Sequence, residues 1–128
     1  MPVVLQVALG GALGATLRHL CAWQITRQVG NAFPWGTLCV NVVGSFIMGI
    51  AAMLLVRRSD LGLQHMAPFF MTGILGGFTT FSAFSLETVL LVERGRADLA
   101  FAYVAASVVL GLAAFAGAIT LLRGWATA

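Results

Sequence analysis

The sequence predicts an all-α integral membrane protein with four transmembrane helices. Of its 128 residues, 60% are hydrophobic and only 9% are charged, whereas about a quarter of the residues in a soluble domain are charged. A chain of this size cannot bury so many apolar side chains in a water-soluble core. The apolar residues are also gathered into four stretches, each long enough for the roughly 20 helical residues that cross a bilayer. We therefore expect a single four-helix membrane domain over residues 1–128.

The helices are predicted at about residues 3–26, 35–56, 67–88 and 99–122. The first contains Arg18 and His19, the second and fourth carry no charge, and the third is uncharged until Glu87. Short turns rich in Gly, Pro, Asn and Arg separate them. Because the first helix lacks the basic start and the cleavage site of a signal peptide, we expect it to remain in the mature protein.

Several function classes are not indicated by the residue pattern. Cys21 and Cys39 both fall within predicted helices, which favours small-residue packing over a disulfide. His19 and His65 have no cluster of further ligands, so a transition-metal site is not predicted. Paired carboxylates, a nucleophile with a base and a phosphate-binding loop are not recognisable, so an enzyme is not expected. The net charge of +3 comes from arginines spread around the loops, which does not suggest DNA or RNA binding.

Orientation in the membrane is not decided by the basic residues. Cytoplasmic loops normally carry the excess of Lys and Arg, but alternating helices would place three arginines on each side here, Arg57, Arg58 and Arg123 against Arg27, Arg94 and Arg96. Two interpretations follow. Either the first helix or the amino terminus fixes one orientation, or the chain inserts both ways and forms an antiparallel, two-fold homodimer with dual topology.

Three pairs of small residues, spaced four apart, predict close packing of helices. They are Gly10 with Gly14, Ser45 with Gly49, and Gly73 with Gly77. Such spacing lets two helix backbones approach each other in lipid. The pattern does not distinguish contacts within one chain from contacts between two chains.

Polar groups inside the predicted spans are candidates for function, because unpaired polar groups are costly in a bilayer. Asn41 has Thr37 one turn earlier on the same face, and its amide can hold an anion or bond a neighbouring helix. Tyr103 and Ser107, also one turn apart, present two hydroxyls that can line a path or fasten helices. Glu87 can titrate, pair with an arginine, or orient neighbouring hydroxyls such as those of Ser85 and Thr88.

Arg18 is the basic residue farthest inside a predicted span. Its side chain can extend to the membrane interface, or it can draw anions into a vestibule.

The stretch GILGGFTTFSAFSLET at residues 73–88 predicts an interrupted third helix, because Gly76 and Gly77 followed by Thr79 and Thr80 are poor helix formers. Non-helical backbone at membrane depth is tolerated where it is buried or lines a polar cavity. Its free carbonyls can coordinate a hard cation such as Na⁺, and two such breaks at the two-fold axis of a dimer would suit a structural ion.

Three phenylalanines of the same stretch, Phe78, Phe81 and Phe84, recur every three residues and predict a ladder along one side of the helix. Phenylalanine stripes commonly serve packing, but ring edges carry partial positive charge and can accommodate a small anion. The interleaved Ser82 and Ser85 add O–H donors along the same path.

The sequence resembles the Fluc (CrcB) family of fluoride channels along essentially its whole length. The motifs that carry the resemblance are GATLR at 14–18, WGTLCVNVVG at 35–44 and, most specifically, GGFTTFSAFSLET at 76–88. The resemblance implies a passive, fluoride-selective channel of the bacterial inner or plasma membrane, which lets fluoride leave the cytoplasm and relieves its toxicity. It also implies a dual-topology antiparallel homodimer with two pores and a central structural Na⁺.

The resemblance assigns the fluoride path to an amide, ring edges, hydroxyls and a carboxylate, namely Asn41, Phe81, Phe84, Ser82, Tyr103, Ser107 and Glu87. We add Thr80 to the path as a further hydroxyl of the same stretch. Arg18 resembles the vestibule arginine. Gly76 and Thr79 match the positions whose backbone carbonyls hold Na⁺. One departure concerns the fourth helix, where some relatives place a further hydroxyl one turn beyond the serine and this chain has Gly111. Either Ser107, Thr80 or Thr88 completes the polar path, or the conduction rate differs.

Two other functions are compatible with a short four-helix chain. A proton-coupled multidrug exporter would need an essential acidic residue deep in a span, and Glu87 is the one available near a helix end. A structural or assembly subunit would use its polar groups to fasten helices together and would conduct no ion.

Overall fold

The computed structural model describes residues 1–127, with side chains described as far as Trp125. Over these residues the chain is helical, and four helices are long and apolar enough to cross a membrane. We refer to them as the first to fourth spans, and their bounds are Val3–Val29, Trp35–Arg57, Gln64–Glu93 and Ala97–Trp125. The predicted all-α chain with four membrane-spanning helices is thus confirmed at this level.

The spans contain several kinds of helical turn. The first is one α-helix, Val3–Val29, and the fourth is one α-helix, Ala97–Thr127. The second begins as the α-helix Trp35–Ala51 and continues with π-helical turns over Ala52–Arg57. The third contains a 3₁₀ turn at Gln64–Met66, π-helical turns at Pro68–Leu75, an α-helical turn at Gly76–Phe78 and the α-helix Phe81–Glu93.

The helices extend beyond the predicted ends. The first continues past residue 26 to Val29, and the third continues past residue 88 to Glu93. Their ends coincide with Gly30 and the turn containing Gly95, which have φ of 84° and 77°. Glycine adopts such left-handed conformations without the steric cost of a Cβ atom. The apolar pattern marks the membrane-embedded part of each helix, whereas these glycines mark where the helical backbone stops.

Close glycine contacts join the first span to the first half of the third span, residues 64–78. A Cβ atom on Gly10 would lie 2.9 Å from Gly73 Cα, and one on Gly77 would lie 2.7 Å from the Gly11 carbonyl oxygen. A Cβ atom on Gly14 would collide with the Ile74 carbonyl. The glycine pairs of these two spans therefore pack against each other within one chain.

The second span packs mainly against the fourth. Gly49 allows this approach, since a Cβ atom there would lie 2.7 Å from the Phe115 carbonyl oxygen. Further along, Leu38 of the second span forms a buried cluster with Leu91, Ala100 and Tyr103. This cluster fixes the second half of the third span, Phe81–Glu93, between the second and fourth spans.

Much of the apolar surface remains outside these contacts. Large side chains exposed by more than half include Leu13, Val109, Leu112 and Leu121. In water such surface would promote aggregation. In a bilayer it faces lipid or another protein chain, which agrees with the spans' length and hydropathy.

The loops carry two exposed ion pairs, Arg58 with Asp60 at 2.8 Å and Arg96 with Asp98 at 3.0 Å. The hydrogen bond from Arg58 lowers the pKa of Asp60 below its usual value. Each pair follows a different span, so one lies at each end of the helical bundle.

Candidate functional site

The backbone of the third span becomes extended at two residues. The helical turn Gly76–Phe78 ends at Thr79, whose φ and ψ are −86° and 156°, and Thr80 follows with −150° and 120°. The next helix begins at Phe81, and the Thr80 hydroxyl accepts a hydrogen bond from the Ala83 N–H at 3.1 Å. Threonine is a preferred residue for this capping bond. The extended pair therefore starts a new helix in a defined direction.

Asn41 of the second span holds this extended backbone through both ends of its amide. Its Nδ2 donates to the Thr80 carbonyl at 3.0 Å, and its Oδ1 accepts from the Thr80 N–H at 2.7 Å. A side-chain amide has one acceptor and two donors, so it can match both polar groups of an extended residue. The interhelical bond anticipated for Asn41 is thus made to main chain rather than to another side chain.

Because of these bonds, two carbonyls lack the N–H donor that a continuous α-helix would give them. In a continuous α-helix, the Thr80 N–H would bond the Gly76 carbonyl and the Ala83 N–H would bond the Thr79 carbonyl. Here the Thr80 N–H donates to Asn41 and the Ala83 N–H donates to the Thr80 hydroxyl. Gly76 and Thr79 are the two residues whose carbonyls the sequence resemblance associates with Na⁺.

An open groove of about 320 Å³ lies beside this junction, between the second, third and fourth spans. Its lining includes the predicted residues Asn41, Thr80, Phe81, Phe84 and Ser107, together with Thr79, Gly44, Ser45, Met48, Val108 and Phe115. We call it the Asn41 groove. Among the described residues, the Ser107 hydroxyl is the buried side-chain polar atom that has no hydrogen-bond partner. The groove therefore contains an unused donor in mainly apolar surroundings.

Three aromatic side chains form a continuous row that begins in this groove and leads away from it. Phe81 and Phe84 have ring centroids 5.6 Å apart, and Phe84 lies 5.1 Å from Tyr103. Phe81 is 79% exposed at the open end of the row, while Tyr103 is completely buried. The rings are tilted relative to each other, at 48° and 54°.

The prediction that Phe78, Phe81 and Phe84 form one ladder is wrong. No ring pair joins Phe78 to Phe81 in the part of the chain that the structure describes. Phe78 instead lies against the second span, where a Cβ atom on Gly44 would be 3.2 Å from Phe78 Cδ2. The two extended residues redirect the chain, so the periodicity of a continuous helix does not carry across them.

Glu87 accepts hydrogen bonds from two hydroxyls on neighbouring spans. Thr37 Oγ1 donates to Glu87 Oε1 at 2.7 Å, and the Tyr103 hydroxyl donates to Oε2 at 2.7 Å. One of the three alternatives for Glu87, that it orients the hydroxyls of Ser85 and Thr88, is not the one seen. Their hydroxyls lie on the same helix and donate to carbonyls one turn earlier, those of Phe81 and Phe84.

Glu87 forms no ion pair with an arginine in the part of the chain that the structure describes. Glu87 nevertheless shares a second groove of about 400 Å³ with Arg18, Thr37 and Thr80. We call it the Arg18 groove. It places one basic side chain near the polar network on the side of the first span.

The structure therefore groups the predicted residues into three neighbouring sets. Asn41, Thr80, Phe81, Phe84 and Ser107 line the Asn41 groove. Tyr103 and Glu87 are joined by a hydrogen bond, and Arg18 lies in the Arg18 groove. Ser82 does not line either groove, but its hydroxyl lies 3.3 Å from that of Thr80.

Two contributions were missed by sequence reasoning. Thr37 was noted as sharing a face with Asn41, but its bond to Glu87 was not anticipated. Ser45 was interpreted only as a packing residue, although it lines the Asn41 groove. The spacing of Thr37, Asn41 and Ser45, four residues apart in succession, was the available signal, because it places all three along one helix face.

Comparison with known proteins gives a consistent result. The family model described as CrcB-like protein, Camphor Resistance (CrcB), matches residues 5–119. A protein of Cereibacter sphaeroides named fluoride-specific ion channel FluC is 55% identical over 122 residues, covering 95% of each chain. A protein of the same name from Paracoccus denitrificans is 52% identical, covering 94% of each chain. Another, from Rhizobium etli, is 48% identical, covering 94% of this chain and 95% of the relative.

Proposed function

This chain belongs to the CrcB family of fluoride-specific ion channels, and we propose that it conducts fluoride passively along the Asn41 groove. Ion channels move an ion without making or breaking covalent bonds, so the chain is not an enzyme. The observation that best supports this path is the unpartnered Ser107 hydroxyl, which lies in the same groove as the Asn41 amide and the two phenylalanine rings.

The chemistry of this groove suits a small anion. A channel must replace part of the hydration shell of the ion, yet bind it weakly enough for release. The Ser107 O–H is an available donor, and one N–H of the Asn41 amide is engaged with Thr80, which leaves the second. Ring edges of Phe81 and Phe84 offer partial positive charge where water is scarce. These weak sites in succession favour transit over tight binding.

Beyond the rings, the Glu87 network borders the path. Its two hydroxyls donate to the carboxylate and would have to turn away from it to bind fluoride. Phe84 contacts Tyr103, whose hydroxyl is held by Glu87 together with that of Thr37. The carboxylate orients these hydroxyls by accepting from both. Arg18, in the adjoining groove, supplies the positive charge that raises the local concentration of anions at the entrance.

A second copy of the chain would close the path. The Asn41 groove is open and Phe81 is 79% exposed, so one protomer alone cannot shield a dehydrated ion from lipid. An antiparallel two-fold homodimer would bury this face and would contain two equivalent pores. We propose this dual-topology arrangement, with the extended Thr79 and Thr80 forming a break in the third helix at the dimer interface.

The free backbone carbonyls at this break are suited to binding Na⁺. The carbonyls of Gly76 and Thr79 lack their usual helical donors because Asn41 and the Thr80 hydroxyl take those N–H groups. Carbonyl oxygens are suitable ligands for a hard monovalent cation, and the same residues of the partner would complete the set. The ion would hold the two breaks together. Purified dimer should consequently have a higher Tm in Na⁺ than in N-methylglucamine, and an equal Tm in both would contradict this role.

The direction of fluoride flow follows from the electrochemical gradient of fluoride rather than from coupled transport of another ion. Neutral HF crosses membranes and releases fluoride in a less acidic cytoplasm. A passive channel in the bacterial inner or plasma membrane would let that fluoride leave, driven by a potential that is negative inside. The protein would thereby relieve fluoride toxicity.

Fluoride efflux from liposomes tests the proposed function. Purified chain is reconstituted in Na⁺-containing vesicles loaded with fluoride or with chloride, and each release is followed with an ion-selective electrode. Rapid release of fluoride without chloride is expected. No fluoride release from protein shown to be dimeric, or equal release of both ions, would contradict a fluoride-selective channel.

A further inference from the structure

The fourth span lacks a side chain at the point where the second span presents a hydroxyl. A Cβ atom built on Gly111 would lie 3.7 Å from Ser45 Oγ, at ordinary van der Waals distance. Ser45 lines the Asn41 groove, one helical turn beyond Asn41, and Ser107 lies one turn before Gly111. The space above Gly111 is therefore bordered by the Ser45 hydroxyl.

Other hydroxyls near the groove are already engaged. Thr79 Oγ1 donates to the Leu75 carbonyl at 2.9 Å, and Thr88 Oγ1 donates to the Phe84 carbonyl at 2.7 Å. The Thr80 hydroxyl caps the following helix. Since a hydroxyl has one O–H donor, Thr79 and Thr88 have none left for an ion. Thr88 is therefore not a donor to the groove in this structure.

The hydroxyls of Ser45 and Ser107, by contrast, have not used their O–H donors. The buried Ser107 Oγ has no partner, and Ser45 forms no hydrogen bond within the part of the chain that is described. Both residues line the same groove, from opposite spans. Met48, Val108 and Phe115 complete this part of the lining with apolar surface, so the two hydroxyls are its polar groups.

We propose that Ser45 contacts fluoride in the pore of this chain, with its hydroxyl serving one turn beyond Asn41 in place of a side chain at Gly111. This inference rests on the proposed function and assigns a further ion-binding residue to the same groove. The second span would then offer the ion two successive contacts on one face, from Asn41 and Ser45. Ser107 would face them from the fourth span.

The test measures fluoride efflux from liposomes containing wild type, Ser45→Ala, or Ser45→Ala with Gly111→Ser. Ser45→Ala should reduce the rate about tenfold, the effect of losing one hydrogen bond to the ion. Gly111→Ser should restore most of the rate, because a Cβ atom at Gly111 meets Ser45 Oγ only at 3.7 Å, without a clash, and the new hydroxyl would lie next to position 45. Thr120→Val serves as the control, since that exposed hydroxyl bonds only its own helix, at the Ala116 carbonyl.

The outcomes separate the two proposals. Fluoride efflux by Ser45→Ala at the wild-type rate would overturn the role of Ser45 and leave the channel function intact. A reduced rate that Gly111→Ser fails to restore, in protein that remains dimeric, would also overturn it, because Ser45 would then act through packing. No fluoride efflux from wild type would overturn the proposed function and this inference together.

Discussion

The Asn41 side chain and the Thr80 backbone depend on each other for hydrogen bonding. Thr80 is buried, and both of its main-chain polar groups bond the Asn41 amide. An unpaired buried polar group costs about 1–3 kcal/mol. Asn41 thus fixes the extended backbone that precedes Phe81. In the proposed path, its remaining N–H would bind the ion.

Replacement of Asn41 should affect both conduction and stability. Asn41→Ala leaves the Thr80 N–H and carbonyl without partners, so we expect fluoride efflux to fall by about a hundredfold or more and the Tm of the purified protein to fall. Gln6→Ala is the matched control, because that exposed amide bonds only the Met1 carbonyl. Wild-type efflux and Tm in Asn41→Ala would contradict the assigned role.

Glu87 provides a second test at the level of one residue. In Glu87→Gln, the amide oxygen still accepts from one hydroxyl, while its N–H₂ can donate to the oxygen of the other. We expect fluoride efflux to be reduced by less than about tenfold. Loss of fluoride efflux together with pH-driven drug uptake by wild type would instead favour a proton-coupled exporter.

Helix number and order could be predicted because long apolar runs require a membrane-spanning length. The predicted ends of the first and third helices were too early, because these helices stop near Gly30 and Gly95 rather than at the last apolar residue. Glycine spacing also indicated close packing, but not that Gly10 faces Gly73. Contacts between residues distant in sequence, such as Asn41 with Thr80 or Thr37 with Glu87, cannot be obtained from spacing within one helix.

Packing of the first span against the third predicts unequal effects of glycine substitutions. Gly14→Ala places a Cβ atom against the Ile74 carbonyl, whereas Gly11→Ala points into open space in the same helix. Overpacking costs about 1–3 kcal/mol, so only Gly14→Ala should lower the Tm and the monodisperse fraction in size-exclusion chromatography. Equal stability of the two variants would contradict this packing.

The whole molecule combines a balanced arginine distribution with an incomplete enclosure of its groove. The loop ion pairs Arg58–Asp60 and Arg96–Asp98 lie at opposite ends of the bundle, so they do not favour one end. The exposed Phe81 borders an open groove. The balanced charge agrees with the proposed insertion in two orientations, and the open groove agrees with the proposed assembly of a dimer.

Single cysteines on opposite ends of the bundle test dual topology. Cys21 and Cys39 are replaced by alanine, and Ser59→Cys or Glu93→Cys is introduced at an exposed position. An impermeant maleimide applied to intact cells should label about half of each population, because each end faces outward in half of the chains. Complete labelling of one variant with none of the other would establish a single orientation.

The most direct measurement of ion selectivity is the reversal potential of the reconstituted wild-type chain in a planar bilayer, with fluoride on one side and chloride on the other. A fluoride-selective pore should give a reversal potential far from zero, with the sign that opposes the fluoride gradient. Chloride should carry no measurable share of the current. A reversal potential near zero, meaning comparable permeability to the two anions, would contradict the assignment of the Asn41 groove as a fluoride-selective path.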